Sequence, residues 1–128
     1  MSVFSTLDIS ASGLTANRVW MDTISNNIAN VNTTRTSEGG PYRRQQVTFA
    51  SKGSNDGVKV VGIFQDKGQP RLVYDPQHPD ADESGYVSMP DINIVTEMVN
   101  MVAATRAYEA NVTVINAAKN MSMKALEI

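Results

Sequence analysis

The residues that break helices are concentrated in the middle of this 128-residue chain. All five prolines lie between Gly39 and Pro90, and so does every glycine except Gly13. Proline and glycine are the residues that most strongly disfavour the interior of a helix. Two long segments that are nearly free of them therefore flank an irregular middle. This layout predicts terminal helices that pair with each other and with neighbouring copies, so assembly is favoured over catalysis.

Composition narrows the classes of protein further. Hydrophobic residues make up 41% of the chain, which is enough for the modest core of one domain. The net charge of −2 and the scattered basic residues do not suit a nucleic acid partner. Because the chain has no cysteine, disulfides, thiolate metal sites and cysteine nucleophiles are excluded. No stretch is apolar enough for a membrane span, and residues 1–12 lack the features of a cleavable signal peptide.

Charge is distributed unevenly along the chain. Residues 33–91 hold seven of the 11 basic and eight of the 13 acidic side chains. The polar positions of the two terminal segments are often Asn, Ser and Thr, which suit contact with other helices. The simpler alternative is that sparse charge reflects packing of these segments on the middle of the same chain.

The N-terminal segment, residues 1–35, has the seven-residue repeat of a coiled-coil seam. Its a positions are Leu7, Leu14, Met21 and Ile28. Its d positions are Ser10, Asn17, Ile24 and Val31. Because two of the d positions are polar, the helix is expected to be weak alone and to need partners.

Asparagines are concentrated near the end of this segment, at Asn26, Asn27, Asn30 and Asn32. They indicate either a plain helix end near residues 31–34 or buried amides that hydrogen bond across helices and fix their register. The isolated Gly13 also has two interpretations. It marks either a bend or the close approach of a neighbouring helix, and close approach is favoured.

The C-terminal segment, residues 91–128, predicts one long helix. It has neither glycine nor proline, and its length corresponds to about 50 Å. Asp91 and Asn93 are the candidate N-caps. An apolar stripe at three- and four-residue spacing runs through Ile94, Met98, Met101, Tyr108, Val112, Ile115 and Leu126. Val95, Val99 and Val102 widen it over the first turns, and the methionines suit either several different neighbours or the gaps of one core.

The middle segment, residues 36–90, predicts a small antiparallel β unit. Strands are expected at Arg43–Phe49, Val58–Phe64 and Arg71–Tyr74, with Gly, Asn and Asp turns between them. The following residues, Tyr74–Val87, are expected to form a loop that its prolines make rigid.

That loop is the one place where sequence alone suggests chemistry. It contains the single histidine, His78, with Asp80 and Asp82 nearby as further candidate metal ligands. The spacing lacks the central glycine and terminal glutamate of a calcium loop, and there is no second histidine. A structural loop is therefore favoured over a metal hydrolase, and no catalytic residue, cofactor or metal is expected.

Several motifs resemble the flagellar rod and hook family, the axial proteins of the bacterial flagellum. The N-terminal ones are Ser12–Asn17 (SGLTAN) and Ile24–Thr33 (ISNNIANVNT). The C-terminal ones are Glu97–Met101 (EMVNM), Arg106–Asn111 (RAYEAN) and Ala125–Ile128 (ALEI). Asp75–Pro79 (DPQHP), with Gly85–Val87 (GYV) after it, is similar to the proximal-rod members of that family.

The resemblance implies an α+β fold in which the terminal helices pair in a coiled-coil-like, antiparallel way around an inserted β unit. It implies a structural subunit of the proximal rod, the periplasmic drive shaft that transmits torque. The implied partners are further copies, other proximal and distal rod proteins, rod-base and export-gate adaptor proteins, and the type III export apparatus. Export without a cleavable signal peptide is also implied.

On this interpretation the terminal helices line the inner tube and order fully only on assembly. The expected subunit contacts on the N-terminal helix are Leu7, Leu14, Asn17, Met21, Ile24, Asn27, Ile28, Asn30 and Val31. Those on the C-terminal helix are Met98, Met101, Val102, Arg106, Tyr108, Glu109, Asn111, Val112, Ile115 and Leu126. The alternative from another class is a helical adaptor that does not polymerise and recruits its partner through Met98, Met101 and Tyr108.

Overall fold

The computed structural model describes residues 2–128. Its elements in chain order are α1 (Val3–Ala29), β1 (Gln45–Ser51), β2 (Val58–Gln65), β3 (Arg71–Tyr74), β4 (Tyr86–Met89) and α2 (Ile94–Leu126). Two long helices at the ends of the chain enclose two small β hairpins. This arrangement confirms the predicted α+β fold with paired terminal helices and an inserted β unit.

Side-chain caps define where both helices begin. The Ser2 hydroxyl accepts a hydrogen bond from the Ser5 N–H at 3.1 Å and starts α1. The Asn93 side chain accepts hydrogen bonds from the first free N–H groups of α2, so Asn93 rather than Asp91 is the cap. At the other end, α1 stops at Ala29, where the asparagine-rich sequence begins a turn.

The two helices run antiparallel along each other and make the most extensive contact in the fold. Gly13 of α1 lies beside Asn111 of α2, and Asn27 lies beside Glu97. With 33 residues, α2 is about 50 Å long.

Small and polar side chains form the centre of the seam between the helices. The buried residues of α1 are Ser10, Ala16, Thr23, Ile24 and Asn27, and those of α2 are Glu97, Ala104 and Ala118. Of the predicted a and d rows of the heptad, only Ser10 and Ile24, both d positions, are among these buried residues. The a positions Leu7, Leu14, Met21 and Ile28 stay partly exposed. Small side chains such as Ala16 and Ala104 are buried between the helices because they let the two backbones approach closely.

The first hairpin packs on α1. Strands β1 and β2 pair antiparallel, and the register shifts between Thr48 and Phe49, where a bulge bends the ribbon. The Phe49 ring meets the Trp20 ring of α1 edge to face, with 6.1 Å between the ring centroids. Strand β1 begins and ends two residues later than predicted, whereas β2 begins where expected.

The second hairpin corrects the prediction of one continuous loop. Tyr86–Met89 is a strand and pairs antiparallel with Arg71–Tyr74. Val87 is 2% exposed and anchors this hairpin, while Tyr86 and Tyr74 stack edge to face outside it. Four residues between a glycine and a proline are too short for the alternation of a strand to be evident in the sequence.

Candidate assembly surfaces

A buried amide connects both helices to the β unit. Asn27 is 1% exposed. Its Nδ2 donates to the Gln45 carbonyl oxygen at 2.9 Å and to Glu97 Oε2 at 3.3 Å. Its Oδ1 accepts from the Gln45 N–H and the Tyr42 hydroxyl, each at 2.9 Å. Of the two interpretations of the asparagine cluster, the buried amide across helices therefore applies to Asn27, and it acts within the chain.

Glu97 places a carboxylate in the same cluster. It is 1% exposed, and its Oε1 accepts a hydrogen bond from Arg44 Nε at 2.5 Å. Both carboxylate oxygens are thus satisfied by side chains from α1 and from the segment just before β1. Burial, and secondarily the charge of Glu97, raise the pKa of the Tyr42 hydroxyl above its ordinary value. Tyr42 therefore stays protonated and keeps donating to Asn27.

The far end of the first hairpin is attached to α1 by Ser12. The Ser12 hydroxyl accepts from the Val58 N–H at 3.1 Å and donates to the Ile9 carbonyl oxygen at 2.6 Å. Together with Asn27, this contact fixes the first hairpin to α1 at two points that are fifteen residues apart along the helix.

In the proline-rich loop, the candidate ligands bind protein groups instead. Asp80 accepts from the Thr34 hydroxyl at 2.6 Å and pairs with Arg35, which ties the loop to the segment after α1. His78 Nδ1 accepts from the Asp80 N–H, and Asp82 caps the turn before β4. Within residues 2–128, no three His, Asp or Glu side chains are grouped in a way that suits a metal ion.

The hydrogen bond from Thr34, followed by the bond and charge of Arg35, lowers the pKa of the Asp80 carboxyl below its ordinary value. Asp80 is therefore charged across the neutral range, and its arrangement is that of a structural clamp between two loops.

The predicted subunit contacts divide into three groups. The first group is buried or only partly exposed within the single chain. Its members are Leu7, Leu14, Asn17, Met21, Ile24, Asn27, Ile28, Asn30, Val31, Met101, Tyr108, Asn111, Val112 and Ile115. The second group is Leu126 alone, which ends α2 and is 88% exposed.

The third group lies on the face of α2 that points away from α1. Its members Met98, Val102, Arg106 and Glu109 are all exposed. Val95 and Val99, at 65% and 62% exposure, extend this group, which we call the outer stripe. Large apolar side chains exposed side by side are typical of a surface that another molecule covers.

The sequence prediction of the sites missed the ion pair between Arg44 and Glu97. The cluster around Glu97 was not foreseen, although a single acidic residue at a seam position of an otherwise apolar stretch is a signal for a buried ion pair. Arg44, its partner, lies fifty-three residues away in sequence, and no local pattern connects them.

Long paired terminal helices with a small β unit between them and an uncovered apolar stripe define a class of elongated assembly subunits. Residues 7–35 match the family described as flagella basal body rod protein, and residues 83–128 match the flagellar basal body rod FlgEFG protein C-terminal family.

Curated relatives cover the whole chain. The chain is 47% identical to the flagellar basal-body rod protein FlgC of Borreliella burgdorferi, over 100% of this chain and 98% of the relative. The FlgC proteins of Bacillus subtilis and Aquifex aeolicus are 47% and 40% identical, over 100% and 99% of this chain and 99% and 97% of their own length. The chain therefore belongs to the FlgC family of flagellar basal-body rod proteins. This confirms the predicted class, a structural rod protein of the flagellar basal body. Among residues 2–128, no helix combines the length and apolarity that crossing a bilayer requires.

Proposed function

We propose that this chain polymerises with other rod proteins into the proximal rod, the periplasmic segment of the drive shaft that transmits torque. The single observation that supports this is the outer stripe of α2. Val95, Met98, Val99 and Val102 are each more than half exposed when residues 2–128 are considered alone. A free subunit that leaves these side chains in water gains stability when a neighbour covers them.

The long helices suit this role mechanically. Helices packed side by side along a shaft axis resist shear and twist, and a head-to-tail contact that does not close gives a helical polymer. In this proposal the helix pair lines the inner tube, and the hairpins lie outside it against adjacent subunits. The role is structural and not catalytic, and partners are further copies, other rod proteins and the rod-base adaptors.

Export is part of the same proposal. The chain reaches the rod unfolded through the flagellar type III apparatus, without a cleavable signal peptide. Towards the chain termini the buried residues are the small Ser10 and Ala118, so those ends of the helices are expected to be partly disordered in the free monomer and to order on assembly.

Limited proteolysis with mass spectrometry and far-UV circular dichroism tests this proposal. Both ends of the purified chain should be cut when it is alone, and they should become protected, with a gain in helicity, when rod partners are added. A free chain that is fully helical, resistant and indifferent to partners would instead support the adaptor that does not polymerise.

A second test targets the outer stripe directly. The double substitution Met98→Ser and Val102→Ser should abolish incorporation into basal bodies while the fold of the monomer is kept. Val114→Ser is the matched control, because Val114 is 42% exposed but lies about 120° around α2 from Val102. Equal incorporation of both variants would contradict the role of the stripe.

A further inference from the structure

The outward faces of both helices carry charges that form no ion pair within the described residues 2–128. The exposed residues along the outward face of α1 include Phe4, Asp8, Ala11, Thr15, Arg18, Asp22 and Ala29. Those along the outward face of α2 include Val99, Val102, Arg106, Glu109, Thr113 and Ala117. The ion pairs found among residues 2–128 are Arg35–Asp80 and Arg44–Glu97, and neither lies on these faces.

The order of the charges on the two faces is complementary. Along α1 a basic residue, Arg18, precedes an acidic one, Asp22, by about one turn. Along α2 the basic residue, Arg106, again precedes the acidic one, Glu109, by about one turn. When two such helices run antiparallel, each positive charge faces a negative one.

We propose that the outward face of α1 in one copy packs antiparallel against the outward face of α2 in the next copy. In this contact Asp22 meets Arg106, and Arg18 meets Glu109. The interface rests on the proposed function, since it joins copies within the rod. Subunits stacked along a common axis keep their helices aligned, so α1 of one copy is antiparallel to α2 of its neighbour.

The uncharged residues fit the same register. Two turns before Asp22 and two turns after Arg106, Thr15 comes opposite Thr113. One turn further, Ala11 comes opposite Ala117. These side chains are small, and small side chains at a helix contact let the axes approach to the short end of the usual 8–10 Å or so.

Neighbouring registers are disfavoured by charge. A slip of one turn in one direction places Arg18 opposite Arg106. A slip of one turn in the other direction places Asp22 opposite Glu109. Like charges in contact oppose association, so this pattern selects one register against its two nearest alternatives.

The register also gives the step between copies. Within one chain Asn27 is level with Glu97, so Asp22 is level with about residue 102. In the proposed contact Asp22 is level with Arg106 of the neighbour, four residues further along. Each copy is therefore displaced by about 6 Å along the helix axis relative to the last. A head-to-tail contact with such a rise builds a helical stack and not a flat closed ring.

Engineered disulfides test the contact and its register, because the chain has no natural cysteine. Two double variants, which we call the matched pairs, place cysteines opposite each other in the proposed register. They are Thr15→Cys with Thr113→Cys, and Ala11→Cys with Ala117→Cys. Two control pairs use the same four positions about one turn out of register. They are Thr15→Cys with Ala117→Cys, and Ala11→Cys with Thr113→Cys. The four-residue shift of each control adds about 6 Å along the axis to the lateral separation of the two helices, which takes the Cα atoms beyond the roughly 4.4–6.8 Å that a disulfide spans.

Basal bodies that carry each variant are isolated, oxidised and analysed by denaturing electrophoresis without reductant. We expect dimers and longer ladders from the two matched pairs and monomers from the two controls. Rods with normal amounts of the chain but no ladder from the matched pairs would overturn the interface and leave the proposed function intact. Ladders from a control pair alone would overturn the register.

Absence of the unsubstituted chain from the isolated rods would overturn the proposed function and this interface with it.

Charge reversal gives a second readout. Arg106→Glu and Asp22→Lys should each reduce swimming, and their combination should restore it. Loss in the combination equal to the sum of the two losses would contradict the pairing.

Discussion

Gly13 in α1 and Asn111 in α2 lie so close together that a β-carbon on Gly13 would come 2.8 Å from the Asn111 Nδ2 atom. Of the two interpretations of this glycine, close approach of a neighbouring helix is therefore confirmed, and the neighbour belongs to the same chain. Gly13 lies between the buried residues Ser10 and Ala16, so it continues the seam of small side chains.

This contact predicts that Gly13→Ala depends on its neighbour. Alanine favours a helix over glycine by about 1 kcal/mol, but here its β-carbon must displace the Asn111 side chain. We expect little or no net gain in the unsubstituted chain and a gain of about 1 kcal/mol in an Asn111→Ala background. Urea unfolding of the four proteins gives these values. Equal effects in both backgrounds would show that the contact does not limit the seam.

Asn27 and Asn26 offer a matched pair of substitutions. Asn27→Ala leaves the Gln45 backbone groups and the Glu97 carboxylate short of partners in a buried place, which we expect to cost about 3 kcal/mol in the free energy of unfolding. Asn26 is exposed and its side chain makes none of these bonds, so Asn26→Ala should change stability by less than about 0.5 kcal/mol. Chemical denaturation of both variants measures the difference. Similar stability for the two would contradict the importance of the buried amide.

Arg44 neutralises a carboxylate that is almost fully buried. Arg44→Met should destabilise the fold by about 3 kcal/mol, because an uncompensated charge then remains inside. Adding Glu97→Gln to Arg44→Met removes that charge and should recover part of the loss. A thermal or urea unfolding cycle measures the coupling, and strictly additive losses would show that the pair is not coupled.

Asp80 predicts a component of acid sensitivity. Its pKa is lowered in the folded chain, so the stability that it contributes is present above the unfolded value near 3.8 and is lost as the pH falls through the lower folded value. Asp80→Asn should therefore have lower stability near neutral pH and a shallower decline in acid. The measurement is urea unfolding at a series of pH values down to about 3. Glu38→Gln, at an exposed position four residues after Thr34, is the control and should follow the unsubstituted chain.

Much of the fold could be predicted because its signals are local. The confinement of Gly and Pro to the middle located both helices, and Asn93 was among the two caps proposed for α2. The turn residues located β1, β2 and β3 to within two residues at each end, because a turn needs its special backbone angles wherever the rest of the chain goes.

The prediction failed where long-range contacts decide. A heptad pattern shows which residues are apolar but not which part of the stripe faces its partner. Ser10, Ala16 and Thr23, which permit close approach, are buried, whereas the larger side chains of Leu14 and Met21 stay partly exposed. The Arg44–Glu97 pair joins residues that are distant in sequence. Strand β4 is too short for its alternation to be evident.

The distribution of contacts along the helix pair has a mechanical consequence. The buried hydrogen-bonded cluster of Asn27 and Glu97 lies at the end where α1 finishes and α2 begins, beside the β unit. Towards the opposite end, the buried residues are the small Ser10 and Ala118, and the described residues form no comparable hydrogen bond between the helices. Sliding of one helix past the other is therefore resisted mainly at one end. Under a bending or twisting load, shear displacement should increase with distance from that end and be greatest near the two chain termini.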